Sequence, residues 1–123
     1  MDVNTRGCVA EYSFGVECLK RGIIVSFPIL DACVYDCLAD TGKDIYRVQI
    51  KSTGKAKEKN RSTVQANWHI VYSPGDVDYF AVWVDLYKGF FIFKNVGQQS
   101  IRVSMDNSNS KFPTEADIVI VGV

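Results

Sequence analysis

Residues 34–53, VYDCLADTGKDIYRVQIKST, decide how the chain folds. Two strand-like runs, Val34 to Ala39 and Ile45 to Lys51, flank an Asp40-Thr41-Gly42-Lys43 turn. Asp and Gly tolerate the unusual dihedrals of such a turn, so the segment predicts a β-hairpin. In the second run Val48 and Ile50 alternate with Gln49 and Lys51, the period of a half-buried strand. Gln49 and Lys51 therefore project together, and Asp36, at the start of the first run, is able to lie alongside them.

Upstream, Val9, Tyr12, Val16 and Leu19 recur at helical spacing among Glu11, Glu17, Lys20 and Arg21. This predicts an amphipathic helix from Cys8 to Arg21, ended by Gly22 as a C-terminal cap. GIIVSFPI, residues 22–29, is β-branched and short and reads as a strand. Downstream, STGKAKEKNRST (52–63) lacks large apolar side chains and reads as a loop or flap, followed by a strand near Val64 to Tyr72 that SPGD breaks. VDYFAVWVDLYKGFFIFKNV (77–96) predicts a second hairpin around Asp85 to Gly89. Its first arm, Tyr79 to Val84, is apolar at nearly every position, as in a strand covered on both faces. After IRVSM and a polar NSNSKFPTE turn, ADIVIVGV either adds an edge strand or covers the core.

The length of 123 residues and 47% hydrophobic content suit one domain over 1–123 with a core of its own. Fourteen Lys and Arg balance fourteen Asp and Glu, so any electrostatic function must be local. Cys8, Cys18, Cys33 and Cys37 form no C-x-x-C pair, which disfavours structural zinc. No secretory signal or bilayer-length apolar run is expected, and reduced thiols in the cytoplasm are the natural setting.

Glu11 on a helix, a short strand, Pro28, Asp31 and Tyr35-Asp36, then Gln49-Ile50-Lys51-Ser52-Thr53 in a hairpin resemble the PD-(D/E)XK nuclease superfamily over residues 5–84. Within it the chain is most similar to group I intron homing endonucleases and to archaeal-type Holliday junction resolvases. The resemblance implies an α/β fold, a restriction-endonuclease-like core with a central mixed β-sheet flanked by helix. It also implies metal-assisted hydrolysis of DNA phosphodiesters by Glu11, Asp36, Gln49 and Lys51. Asp36, the Gln49 side-chain oxygen and the Ile50 carbonyl would ligate Mg²⁺, with Mn²⁺ as substitute, and Glu11 would bind a second metal or orient water. Lys51 would polarise the attacking water or steady charge on the phosphate. Gln49 departs from the acidic residue in the family's name. Its amide still offers an oxygen but removes a negative charge, so metal affinity would depend more on Glu11 and the DNA phosphate.

Lys55, Lys57, Lys59 and Arg61 follow the motif and would contact phosphates of double-stranded or branched DNA at the mouth of the site. A site longer than a few base pairs would call for a homodimer or homotetramer. Each residue also has a plainer reading. Asp36 and Lys51 form a surface cross-strand pair of little energy, Glu11 is an ordinary helix carboxylate, and the basic run is a solvated loop. His69 reads as structural, Trp68 and Tyr72 as core with base stacking as the alternative, and Phe90, Phe91 and Phe93 as core or subunit interface. Two rival functions are a nuclease-like DNA-binding module without catalysis and a small assembly protein joined through Phe90 to Phe93.

Overall fold

A computed structural model describes residues 2–53, 56–57, 60–85, 88–104 and 118–121. Helix α1 spans Val3–Lys20 and begins upstream of the predicted Cys8, because Asp2 caps it: its carboxylate accepts the Thr5 N–H at 2.7 Å. The predicted end holds. Gly22 adopts φ 75°, a left-handed conformation that suits glycine, and lets Gly22 N–H reach Leu19 O and Ile23 N–H reach Cys18 O.

The helix turns a different stripe to the core than the one predicted. Ala10, Phe14 and Cys18 are buried, while Tyr12, Val16 and Leu19 are 71%, 51% and 66% exposed. Both sets follow helical spacing, and the sheet takes the one whose small Ala10 and Cys18 allow close approach. Phe14 fills the space between them, edge-on to Phe90 with centroids 5.5 Å apart.

The main sheet is mixed and six-stranded, in the order β1 (Ile24–Ser26), β2 (Cys37–Asp40), β3 (Ile45–Thr53), β6 (Tyr79–Val84), β7 (Gly89–Lys94), β9 (Ile118–Val121). β2 and β3 form the predicted hairpin, with Asp40 opposite Ile45. β6 and β7 form the second, and β6 is buried on both faces as expected. β3 and β6 run parallel, as do β7 and β9, so the final apolar segment is an edge strand.

The region expected to be a loop between 52 and 63 is largely strand. β3 runs on to Thr53, and β4 (Ala56–Lys57) and β5 (Asn60–Asn67) join β8 (Ser100–Ser104) in a second, three-stranded antiparallel sheet. A strand is held by backbone pairing, so a polar sequence with a willing neighbour needs no apolar face of its own. The strand predicted from Val64 to Tyr72 accordingly ends at Asn67; Trp68 and Tyr72 are buried in the connection that follows.

Two apolar layers cover the main sheet. Val48 and Ile50 join α1 on one side, together with Cys37, Ala39, Ala81, Trp83 and Phe90. On the other, Phe80, Val82, Val84, Phe91 and Phe93 meet Trp68, Tyr72, Val77 and Ile101. Phe90, Phe91 and Phe93 are thus core rather than an interface, which removes the ground for the assembly-protein reading. Cys18 and Cys37 are free thiols in the helix-side layer, and burial pushes Cys18 up to about 11. No helix among the described residues is long and apolar enough to cross a membrane.

Candidate active site

The site forms where β2 stops short. β2 pairs with β3 only as far as Cys37 opposite Val48, leaving Ile50 without a β2 residue opposite it. Asp36 takes that place: its N–H donates to Val48 O at 2.9 Å, and its Oδ2 accepts the Ile50 N–H at 2.7 Å. The N–H and C=O of one strand residue point to the same edge, so the Ile50 carbonyl is directed into the same gap.

Glu11, from the middle of α1, faces this carboxylate across a cavity of about 250 Å³. Asp31 and Asp36 line the cavity with it, between Tyr12, Phe27 and Tyr35. Burial pushes the Glu11 carboxyl above its usual range, and the nearby Asp36 charge pushes it further. Burial also raises Asp36, against the pull of the Ile50 N–H and of the Lys51 charge. Asp36 is thus the link, acting on the Glu11 carboxyl and acted on by the Lys51 charge.

Lys51 lies on the other face of β3 from Val48 and Ile50, as the alternation predicted. Its Nζ donates to Tyr72 Oη at 2.7 Å and sits 5.8 Å from the centre of the Trp68 ring. Gln49 is half-buried on the same face, in register with Phe80 of β6. Residues 46–53 are anchored at their start by Arg47, which donates from N, Nε and Nη2 to the Asp78 carboxylate at 2.7–3.2 Å and from Nη1 to Gly75 O. Burial tends to raise Asp78, but the Arg47 bonds hold it below its ordinary value.

Residues 1–117 match the PD-(D/E)XK endonuclease family. The chain belongs to that family. Among solved structures it is similar to a bacterial homing endonuclease, I-Ssp6803I, at 20% identity and a TM-score of 0.70, over 93% of this chain and 86% of that one. The restriction-endonuclease-like α/β fold is therefore the one predicted. No match is found among curated protein sequences.

The segment read from the sequence as the counterpart of (D/E)XK is Gln49, Ile50 and Lys51. Among the described residues no three Asp, Glu, His or Cys side chains converge as a complete metal cage. The oxygens that the structure brings to this gap are instead the Glu11 and Asp36 carboxylates and the Ile50 carbonyl. An all-oxygen set with two like charges in a partly buried pocket fits a hard divalent cation that keeps water in its shell. His69 is exposed, and its carbonyl accepts from Gln99 Nε2 at 3.0 Å. Lys55 and Lys59 lie outside the described residues; Lys57 and Arg61 belong by backbone to β4 and β5.

Sequence reasoning missed the partners of Lys51 and Arg47. Tyr72 is 21 residues from Lys51 and Asp78 is 31 from Arg47, distances over which periodicity carries no signal. Asn95 was also missed. Buried at 3% exposure, it donates to Tyr72 O at 2.8 Å and Val77 O at 2.9 Å, tying the connection after β5 to the end of β7.

Proposed function

We propose that the chain is a divalent-metal-dependent DNA endonuclease that hydrolyses phosphodiester bonds, of the homing type. The observation that carries this reading is the meeting of Glu11 and Asp36 in one cavity at the open end of β2, with Asp36 within electrostatic reach of Lys51. Asp36, Glu11, the Ile50 carbonyl and the Gln49 amide oxygen would hold Mg²⁺, or Mn²⁺ in its place. Once bound, the cation supplies Lewis-acid polarisation of the phosphate and of the attacking water. Asp36 is steadied for its part by its bond to Ile50 N–H, which engages Oδ2 and leaves Oδ1 available. Lys51 brings a positive charge to the phosphate oxygens as negative charge builds there. Phosphate contacts from Lys55, Lys57, Lys59 and Arg61 would add affinity that carries no sequence information. The homing type rests on V-Q-I-K-S-T and on the likeness to I-Ssp6803I.

A duplex cut on both strands asks for two such sites, and a second copy of this chain is the proposed partner. Tyr12, Val16, Leu19, Ile24 and Phe27 form an open apolar groove beside the cavity, of the kind that self-association covers.

Cleavage of a supercoiled plasmid and of a synthetic four-way junction, each with Mg²⁺, Mn²⁺ or EDTA, tests the reading. Metal-dependent cutting by the wild type that Lys51→Ala loses supports it, and cutting confined to the junction replaces the homing type with a resolvase. Gln49 favours one other reading, a DNA-binding module without catalysis. DNA binding without cleavage of a panel of long, sequence-diverse duplexes in either metal would select it.

A further inference from the structure

Lysine is a point charge on a four-carbon stem, and such a side chain sweeps a wide volume unless something holds its end. Lys51 is held. We propose that Tyr72 is a positioning residue for Lys51: its phenol oxygen accepts a hydrogen bond from the ammonium and fixes where that charge meets the substrate phosphate. This inference rests on the reading of Lys51 as the group that serves the phosphate.

Three observations carry it. The Lys51 Nζ to Tyr72 Oη separation is 2.7 Å, a short bond for an ammonium and a phenol. Tyr72 is itself immobilised: it is 7% exposed, its ring packs edge-on to Phe80 at 5.6 Å, and its carbonyl accepts from the buried Asn95 amide at 2.8 Å. Trp68 stands on the ammonium's flank at 5.8 Å, within cation–π reach, while its indole N–H is engaged by Gln98 O at 2.9 Å. The anchor is therefore part of the core on the far side of β3, not a loop side chain resting on the surface.

The chemistry of the anchor fits its task. An ammonium has three N–H donors, and the bond to Tyr72 uses one of them. A carboxylate in that position would neutralise the charge on which phosphate recognition depends. A phenol holds the nitrogen while leaving the charge whole, and the phenol's own proton stays free to orient elsewhere.

Tyr72→Phe removes the oxygen and keeps the ring. Misplacing a catalytic group by about 1 Å can cost about a hundredfold, so the expected result is a kcat lowered about tenfold to a hundredfold with KM for DNA unchanged. The ¹⁵N resonance of the Lys51 ammonium, observed without metal or DNA, should also shift relative to wild type. Phe90→Leu is the structural control: it disturbs the helix-side apolar layer, away from Tyr72, and should lower stability while leaving kcat and the Lys51 resonance in place. Wild-type kcat in Tyr72→Phe, or an unmoved Lys51 resonance, overturns the proposal, as does an equal loss of kcat in both variants. If the wild type itself does not cleave, the assignment of Lys51 to the phosphate fails. The resonance then still decides whether Tyr72 holds the ammonium.

Discussion

The two hairpins of the main sheet are built alike and used differently. β6 and β7 pair along six positions from end to end, and their side chains fill both apolar layers. β2 pairs with four positions of a β3 that is nine residues long. The stretch of β3 beyond the end of β2, paired on its other edge with β6, carries Ile50 and Lys51 and receives Asp36. A complete ladder leaves no backbone group over for chemistry, whereas a ladder that ends early exposes an N–H and a carbonyl that a carboxylate and a cation can use.

This contrast breaks cleanly if the hairpins are mutated in parallel. Asp36→Ala should lower cleavage at least about a thousandfold, on the scale of losing a preorganised charge-stabilising group, with a melting temperature close to wild type because a buried carboxylate is removed along with its bond. Phe90→Ala should do the reverse, costing about 3–5 kcal/mol of stability, as Phe→Ala substitutions in a core do, while the remaining folded protein still cuts. Denaturant unfolding and cleavage assays on both variants check the pair. A stable, active Phe90→Ala or a fully active Asp36→Ala would erase the division of labour.

Gln49 sharpens the same comparison, because it is where the site's charge falls short of the family's name. If residue 49 serves the metal as proposed, Gln49→Glu adds a carboxylate to its oxygen donors, and affinity for hard cations rises with ligand charge. Metal affinity should increase about tenfold, read by Mn²⁺ titration without DNA. An unchanged or weaker affinity would place residue 49 outside the metal's reach.

Both hairpins and the glycine cap were legible in the sequence because each depends on neighbours within a few residues: a turn, an alternation, a residue tolerant of positive φ. The order Glu11, Asp36, Gln49 to Lys51 came instead from the resemblance to a family, and of these the structure brings Glu11 and Asp36 to one cavity. What was not legible depends on a partner. Helix α1 carries two apolar stripes, and only the sheet decides that Ala10, Phe14 and Cys18 turn inward. β4 and β5 look like a loop because their cohesion comes from β8, far along the chain. Tyr72 looks like an ordinary core aromatic until β3 delivers an ammonium to it.

A smaller effect separates the hairpins by pH. Glu11 and Asp36 have carboxyls raised by burial, and Glu11 also by its neighbour's charge. For an acid raised in the folded state, the native form binds protons more tightly than the unfolded chain. Without metal, these groups therefore favour the fold below their unfolded values, and that contribution is lost as pH rises through the raised folded values. The proposed metal binding, which would need both carboxylates ionised, would run the other way and weaken on acidification. Unfolding in EDTA between the ordinary and raised carboxylate ranges should show wild type losing stability with rising pH more steeply than Glu11→Gln. Equal slopes would mean that the two carboxyls do not share a site.

The smallest effect on stability belongs to the helix stripe that the sheet leaves outside. Leu19 is 66% exposed, so Leu19→Lys should change folding stability by no more than about 0.5 kcal/mol, as surface substitutions do. Its effect on self-association should be large, because a new ammonium in an apolar contact must be desolvated without a partner. Sedimentation across a concentration series should show the wild type associating and Leu19→Lys as a monomer with an unchanged melting curve. If the wild type stays monomeric, or the variant associates as well, α1's second stripe is ordinary exposed apolar surface, and the two sites needed for a double-strand cut must be brought together some other way.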